Sequence, residues 1–291
     1  MSAAVGSPRG SGIDVHCDSV VLLYSSDEGD VAALRGVDLD ISAGEVVAIL
    51  GPSGSGKSSL LALFTGLLRP SAGHVRLGPH EMGKLSGREL QRLRATTVSL
   101  VLQDPAQALL PYATAEQNVG LAQWVGRTGD RPAMWTANEL LDLLGMGGLA
   151  SQTLATMSGG EQQRVAIAAG ICVAPQLLLL DEPTSQLDAL ARDEVIEMLL
   201  AVNSELGATV VTVTHDPAVA AAMPRTISIR DGRVGSEGRR GHDFAVIGKD
   251  GSLQLPTEIL TVLPPGALVR VVPLENGAQV LRSDDPDPPS G

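Results

Sequence analysis

Residues 46–61 read VVAILGPSGSGKSSLL, and no other stretch restricts the possible folds of this chain as strongly. An apolar run with strand character, Val46, Val47, Ile49 and Leu50, enters a glycine-rich turn that gives way to Lys57, Ser58 and an apolar helical start. That order describes a phosphate-binding loop. Gly51, Gly54 and Gly56 permit backbone angles closed to other residues, so successive amide N–H groups converge at a helix N-terminus. Lys57 is then expected to reach the β- and γ-phosphates of a nucleotide, and the Ser58 hydroxyl to bind magnesium. Ser53, Ser55 and Ser59 join the loop as further nucleotide-binding candidates. The competing reading is a chance glycine-rich turn; the strand before and the helix after supply the context that the motif requires.

The chain has 291 residues, 44% of them hydrophobic, enough for a sizeable core and either one large domain with an appendage or two domains. Its formal charge of −12 opposes a broad nucleic-acid surface, which needs clustered Lys and Arg to displace counterions from phosphate. Cys17 and Cys172 are far apart and lack paired-ligand spacing, so neither a disulfide framework nor a zinc site is expected, and a reducing compartment fits. The first twelve residues lack the apolar core of a secretory signal, and no uninterrupted apolar run approaches membrane-spanning length. Membrane contact is therefore expected only through a partner.

In chain order, Ile13 to Leu23 and Asp38 to Ile41 suggest strands, antiparallel and beside the nucleotide. Tyr24 follows the first of them in a chain with 2% aromatic residues; it is either a platform for adenine or an ordinary half-buried residue at a strand end. Ser58 to Leu68 reads as a helix stopped by Arg69-Pro70, and Gly87 to Arg94 as a charged surface helix. Val98 to Leu102 is a short apolar strand ending at Gln103, either a polar cap or a side chain that coordinates magnesium or holds water. From Ala106 to Leu154 the pattern turns helical, with Thr114 as an N-cap and a second helix from Thr136 to Leu144 stopped by Gly145.

Ser158-Gly159-Gly160-Glu161-Gln162 opens a long apolar helix and forms a second phosphate cradle, for the same amide and dipole reasons as the first. A plain helix cap is the alternative. One nucleotide cannot easily use two such loops unless a second copy supplies one of them. Leu177 to Leu180 is wholly apolar, as expected of a parallel strand covered on both faces, and ends in Asp181-Glu182. Adjacent acids at a buried strand end repel unless a cation sits between them, so Asp181 is expected in a magnesium shell and Glu182 is expected to polarise the attacking water. Thr209 to Val213 ends at Thr214-His215-Asp216, where His215 is expected to bond the γ-phosphate or to be a polar surface residue. Parallel sheets bind ligands at these strand ends.

Taken together, GPSGSGKSS at 51–59, Gln103, MSGGEQQ at 157–163, LLLLDEPTSQLD at 177–188 and THD at 214–216 resemble the ATP-binding subunits of ABC transporters over approximately Ile13 to Gly235. The resemblance implies an α/β fold: a P-loop ABC ATPase core with an antiparallel β subdomain and a helical insertion, here about 104–165. It implies ATP and Mg2+ as cofactors. It makes Gln103 the Q-loop glutamine, Ser158 to Gln162 the signature, Asp188 the D-loop aspartate and His215 the switch histidine, and it favours Tyr24 as the adenine platform. Such subunits form a head-to-tail homodimer in which each ATP lies between one chain's phosphate loop and the other's signature. Met157 for leucine and Leu102 for phenylalanine are mild apolar departures. Gln186 and Ala169 depart more, at positions concerned with communication between subunits.

TAEQNV at 114–119 and MPRTISIRDGRV at 223–234 look most like the macrolide-efflux, lipoprotein-releasing and FtsE-type group. That similarity implies a separate FtsX-like membrane permease and a position on the cytoplasmic face of the membrane. An importer's ATPase is the alternative, as is a non-transport ABC ATPase; the latter is disfavoured because 54 residues between Gln103 and Ser158 leave no room for a long coiled coil.

Beyond the ATPase domain (13–235), residues 236–242 read as a linker, 243–283 as a small β-hairpin module, and 1–12 and 284–291 as disordered tails. Phe244 to Ile247 and Ser252 to Leu255 flank the turn at 248–251, Pro256 opens a short helix to Leu263, and Ala267 to Val272 and Ala278 to Leu281 flank Glu275-Asn276-Gly277, a hairpin signal. The layout resembles the AbrB-like swapped-hairpin family, many of whose members bind DNA as dimers. DNA binding is not expected here, because acids outnumber bases seven to three from Asp243 to Gly291. The module is either a β cap or a dimerising element.

Overall fold

The computed structural model describes residues 12–26, 29–126, 135–185, 187–239, 242–249, 251–255, 257–274 and 277–282. Both expected tails lie outside the described residues except for Gly12, as do Gln186, Pro256 and parts of the turns at 248–251 and 275–277.

The chain runs through β1 (Val15–Ser26), β2 (Gly29–Ile41), β3 (Val46–Leu50), α1 (Lys57–Phe64), β4 (Ala72–Leu77), β5 (His80–Glu81), α2 (Gly87–Thr96) and β6 (Val98–Val101). Then come α3 (Ala115–Gly126), α4 (Ala137–Leu143), α5 (Gly159–Ile171), β7 (Leu177–Asp181), α6 (Ala189–Leu206), β8 (Thr209–Thr214), α7 (Pro217–Ala222), β9 (Arg225–Arg230), β10 (Arg233–Arg239) and β11 (His242–Ala245). Last are α8 (Thr257–Val262), β12 (Val269–Leu274) and β13 (Gly277–Arg282). The chain divides into two compact units at Phe244/Ala245.

In the first unit a seven-stranded sheet has the order β11-β10-β9-β3-β8-β7-β6, and a four-stranded antiparallel sheet the order β2-β1-β4-β5. From β9 to β6 the neighbours are parallel, so these strands end together on one side. Period-two alternation divides the apolar side chains of each central strand between two cores. Val47, Ile49, Leu177, Leu179, Val211 and Val213 join α1 and the antiparallel sheet in one, while Val46, Ala48, Leu178, Leu180 and Val210 join α5, α6 and the helical insertion in the other. That is why four consecutive leucines are all buried on β7.

Some expectations shift. The helix after the loop stops at Phe64 rather than Leu68, because Gly66 turns left-handed (φ 65°) and even a Cβ there would meet Leu90 Cδ2 at 2.4 Å. The strand expected at Asp38 to Ile41 is the end of a thirteen-residue β2. Residues 236–242, expected as a linker, carry the end of β10 and the start of β11; Glu237 earns its register on β9 through the buried Arg225, whose Nε donates to Glu237 Oε1 at 2.9 Å. In the helical insertion Thr114 and Gln117 cap α3 reciprocally, and Thr136 and Glu139 do the same for α4. Asn118, buried on α3, accepts from Leu110 N and donates to Leu110 O and Thr114 O, so it fixes the segment between Gln103 and α3.

In the second unit, β12 and β13 pair antiparallel from Val269↔Arg282 to Leu274↔Gly277, and Gly248 N donates to Ser252 O across the preceding turn.

Candidate nucleotide and phosphoryl-transfer site

The loop at 51–59 leaves the end of β3 and is held from two sides by backbone bonds: Gly51 N donates to Thr214 O at 3.2 Å, and Gly232 N to Ser55 O at 3.1 Å. Two glycines are required by this geometry. A Cβ on Gly51 would sit 2.3 Å from Ile229 O, and Gly56 has φ 102° with Ala33 O 2.6 Å from where its Cβ would lie. Gly56 stands at the N-cap of α1 without a side-chain cap, so the first amides of that helix face the loop. Inside the loop, Ser55 Oγ is buried and has no hydrogen-bond partner among the described residues. Ser53 is exposed and Ser59 half-buried. Tyr24, at 43% exposure near the end of β1, has its hydroxyl 3.2 Å from Ser59 Oγ, which brings the ring to the start of α1.

Lys57 is only 5% exposed, and its ammonium donates to Gly51 O at 2.8 Å and Pro52 O at 3.0 Å. It also lies 3.8 Å from Glu182 Oε1. Parallel register assembles the rest: Leu50 is level with Thr214, Asp181 with Val213, and Val101 with Leu180. Residues far apart in sequence thereby meet at one sheet edge. Ser58 Oγ is 3.4 Å from Asp181 Oδ1, and burial pushes the Asp181 pKa up, with the Glu182 charge adding to the rise and Ser58 and Lys57 opposing it. Glu182 has a left-handed backbone (φ 45°) and its amide donates to Val213 O. Its carboxylate is 2.6 Å from His215 Nδ1. Gln103 Nε2 donates to Ser185 Oγ at 3.2 Å; no described hydrogen bond joins it to Ser58 or Asp181. Ser185 was not among the sequence candidates, and with the partners 82 positions apart no local pattern points to it.

The signature residues are arranged differently. Ser158 N-caps α5 in a capping box, its hydroxyl accepting from Glu161 N and its amide donating to Glu161 Oε2 at 2.7 Å. Gln162 Nε2 donates to Leu154 O and Met157 O. Gly159 is exposed, and no described hydrogen bond or ion pair joins Ser158 to Gln162 with residues 51–59 of the same chain. Asp188 N-caps α6 through Ala191 N at 2.9 Å.

These donors fit a magnesium nucleotide. Backbone amides, an ammonium and an unpartnered buried hydroxyl suit phosphate oxygens, while the Ser58 hydroxyl and the Asp181 carboxylate are hard oxygen donors close together. No group of three or more His, Cys, Asp or Glu able to hold a metal occurs among the described residues. Magnesium keeps waters and phosphate oxygens as ligands, so one protein hydroxyl and one carboxylate are donors enough for it.

A glycine-rich loop at the edge of a parallel sheet, acids on the neighbouring strand and a second glycine-bearing helix start define a P-loop ATPase of the cassette class. The family model described as ABC transporter matches residues 34–185. The chain is 44% identical over 212 residues to the lipoprotein-releasing system ATP-binding protein LolD 2 of Caulobacter vibrioides, covering 73% of this chain and 92% of that protein. It is 42% identical to the macrolide export ATP-binding/permease protein MacB 1/2 of Paracoccus denitrificans, over 75% of this chain and 32% of that one. Among solved structures, the ATP-binding cassette MJ0796, dimeric in a post-hydrolysis state with ADP and Pi, aligns with TM-score 0.70 and 35% identity over 78% of this chain and all of that one. The chain belongs to the ABC transporter family and is an ATP-hydrolysing subunit of it. No helix among the described residues is long and apolar enough to cross a membrane.

Proposed function

We propose that this chain works as a head-to-tail homodimer that hydrolyses ATP to drive a separate, FtsX-like permease from the cytoplasmic face of the membrane, for export, lipoprotein release or force transmission. One observation carries the reading: Lys57, Asp181, Glu182 and His215 converge at the ends of three adjacent strands, while Ser158 to Gln162 open α5 in a capping box with no described bond to residues 51–59 of the same chain. In this reading Tyr24 stacks on adenine, and Gly51 to Ser59 bind the phosphates. Ser58, Asp181 and Gln103 hold magnesium, which would neutralise charge on the phosphates. Glu182 orients and polarises the attacking water, and His215 fixes that carboxylate and reaches the transferred group. Catalysis is then mainly positioning and electrostatics. The partner copy contributes Ser158, Gly159, Gly160, Glu161, Gln162 and Asp188. The names of the relatives, a lipoprotein-releasing ATP-binding protein and macrolide export proteins that carry a permease, support the choice of partner. Copurification from solubilised membranes tests it: an integral membrane permease should come down with the wild-type chain, and ribosomes or DNA in its place would overturn the reading.

We further infer that residues 243–283, which resemble the AbrB-like family, pair two copies rather than cap one. Leu263 is the one buried apolar residue beyond Phe244 among those described, whereas Ile247, Val262, Leu268, Val269, Val271 and Leu274 are all exposed. Register groups Val269, Val271 and Pro273 with Ala278 and Val280 on one hairpin face. A two-stranded hairpin with an open apolar face is marginal by itself, and a dimeric ATPase brings a second such face at equal stoichiometry.

A further inference from the structure

Arg164 stands where three helices meet. On α5, its Nη2 donates to the Glu194 carboxylate of α6. Its Nη1 lies 3.9 Å from where a Cβ would stand on Gly145, the glycine after α4. Its Nε is buried and has no hydrogen-bond partner among the described residues, so the guanidinium relies on the carboxylate for most of its compensation. One turn nearer the start of α5, a Cβ on Gly160 would lie 3.6 Å from both Ala191 Cβ and Leu187 Cδ2. The first turns of α5 and α6 therefore leave room for about one methyl group between them at Gly160. These same turns begin at Ser158 and Asp188, the N-caps of the two helices. The ion pair also lines an open pocket of about 290 Å³, together with Leu143 and Leu144 at the end of α4 and Met198 and Val202 of α6. The Arg164–Glu194 pair lies on the wall of this pocket and ties α5 to α6.

We propose that Arg164 and Glu194 are positioning residues that lock α5 in register with α6, so that Ser158 and Asp188 meet a second copy as one rigid edge. The proposal rests on the reading of the signature and D-loop as elements acting on the partner's nucleotide. Glu194 is on the second of these helices, and no described hydrogen bond or ion pair joins it to the phosphate site, so its contribution is made through the helix start it holds. A half-exposed ion pair adds little to the stability of a single chain. A closed dimer contains two such edges, however, and a loss at each multiplies: about threefold per edge becomes about tenfold in the dimer dissociation constant.

The test uses the full chain carrying Glu182→Gln, with ATP and magnesium, and sedimentation equilibrium to measure dimerisation. Arg164→Ala and Glu194→Ala should each weaken the dimer about tenfold, while the affinity of the monomer for a fluorescent ATP analogue stays within about twofold. The double variant Arg164→Ala/Glu194→Ala should be no worse than either single one, and the charge exchange Arg164→Glu/Glu194→Arg should recover most of the loss. A purely stabilising role would not yield that recovery together with unchanged nucleotide affinity. Glu194→Gln serves where the arginine variant folds poorly and should reproduce Glu194→Ala. Losses that add in the double variant, or a loss with Arg164→Ala and none with either Glu194 variant, would overturn the proposal, since Arg164 would then act alone. Ser158→Arg is measured in parallel: if it dimerises like its parent, the underlying assignment of the signature has failed; if it blocks dimers while Arg164→Ala and Glu194→Ala do not, only the proposed lock is wrong.

Discussion

Glu182 combines three properties at one residue: a left-handed backbone, a carboxylate bonded to His215 and a position just past the end of the buried strand β7. A non-glycine residue in that conformation costs about 1–3 kcal/mol and persists where the surroundings over-determine it. Here the bond from its amide to Val213 O is part of that restraint. Glu182→Gln keeps the shape and loses the basicity, so steady-state ATP hydrolysis should fall about a hundredfold or more while ATP-bound dimers accumulate in gel filtration. Turnover near wild type would remove the water-polarising role. Asp181 yields a pH prediction. Because burial raises its folded pKa above the unfolded value, its contribution is most favourable below the ordinary carboxylate pKa of 3.8 and is lost as pH rises through the raised value. Asp181→Asn should therefore melt higher than wild type near pH 7 without magnesium or nucleotide, and the difference should vanish by about pH 4. A gain that is constant across that range would mean that desolvation of the charge is not its source.

At the scale of elements, α1 starts without a side-chain cap and stands beside Asp181, whereas α5 starts in its own capping box and makes no described bond to that site within one chain. Lys57→Ala should weaken nucleotide binding to the monomer, whereas Ser158→Arg should spare it and block closure. In a mixed dimer with one lesion on each chain, both fall on the same site and the other site is intact, so measurable hydrolysis should survive where either homodimer has almost none. Equal loss of monomer affinity in the two variants would contradict action on the partner. Much of this was legible in the sequence, because glycine spacing, the LLLL run and acids at a strand end are local patterns with direct physical meaning. What escaped depends on distant neighbours. Residues 29–37 carry no clear alternation, yet they form strand because β1 supplies a ladder for them. The Gln103–Ser185 bond follows from β6 lying beside β7, and the left-handed Glu182 from its amide bonding β8. The stop of α1 at Phe64 was set by Gly66 against Leu90, a contact between two helices that periodicity does not encode.

At the scale of the whole molecule, the apolar face of β12 and β13 predicts nucleotide-free self-association. A chain ending at Ala245, which keeps β11 in its sheet, and a full chain with Val271→Asp should both bind ATP yet sediment as monomers at concentrations where wild type still pairs. Identical sedimentation of all three would leave the module as a cap, and DNA should be bound by none of them. The position of β3 has another consequence, for the newborn chain. Its two neighbours are β8 and β9, so the phosphate loop leaves a strand that has no sheet partner until residue 214 has been synthesised and no second one until residue 228. At ordinary translation speeds of roughly 5–20 residues per second, the last of these neighbours is made about 10–40 s after Leu50. Through that interval Val46 to Leu50 is an apolar segment with at least one edge open, dependent on chaperones or on the antiparallel hairpin beside it, and nucleotide can become a folding ligand only once the ribosome has nearly finished the first unit.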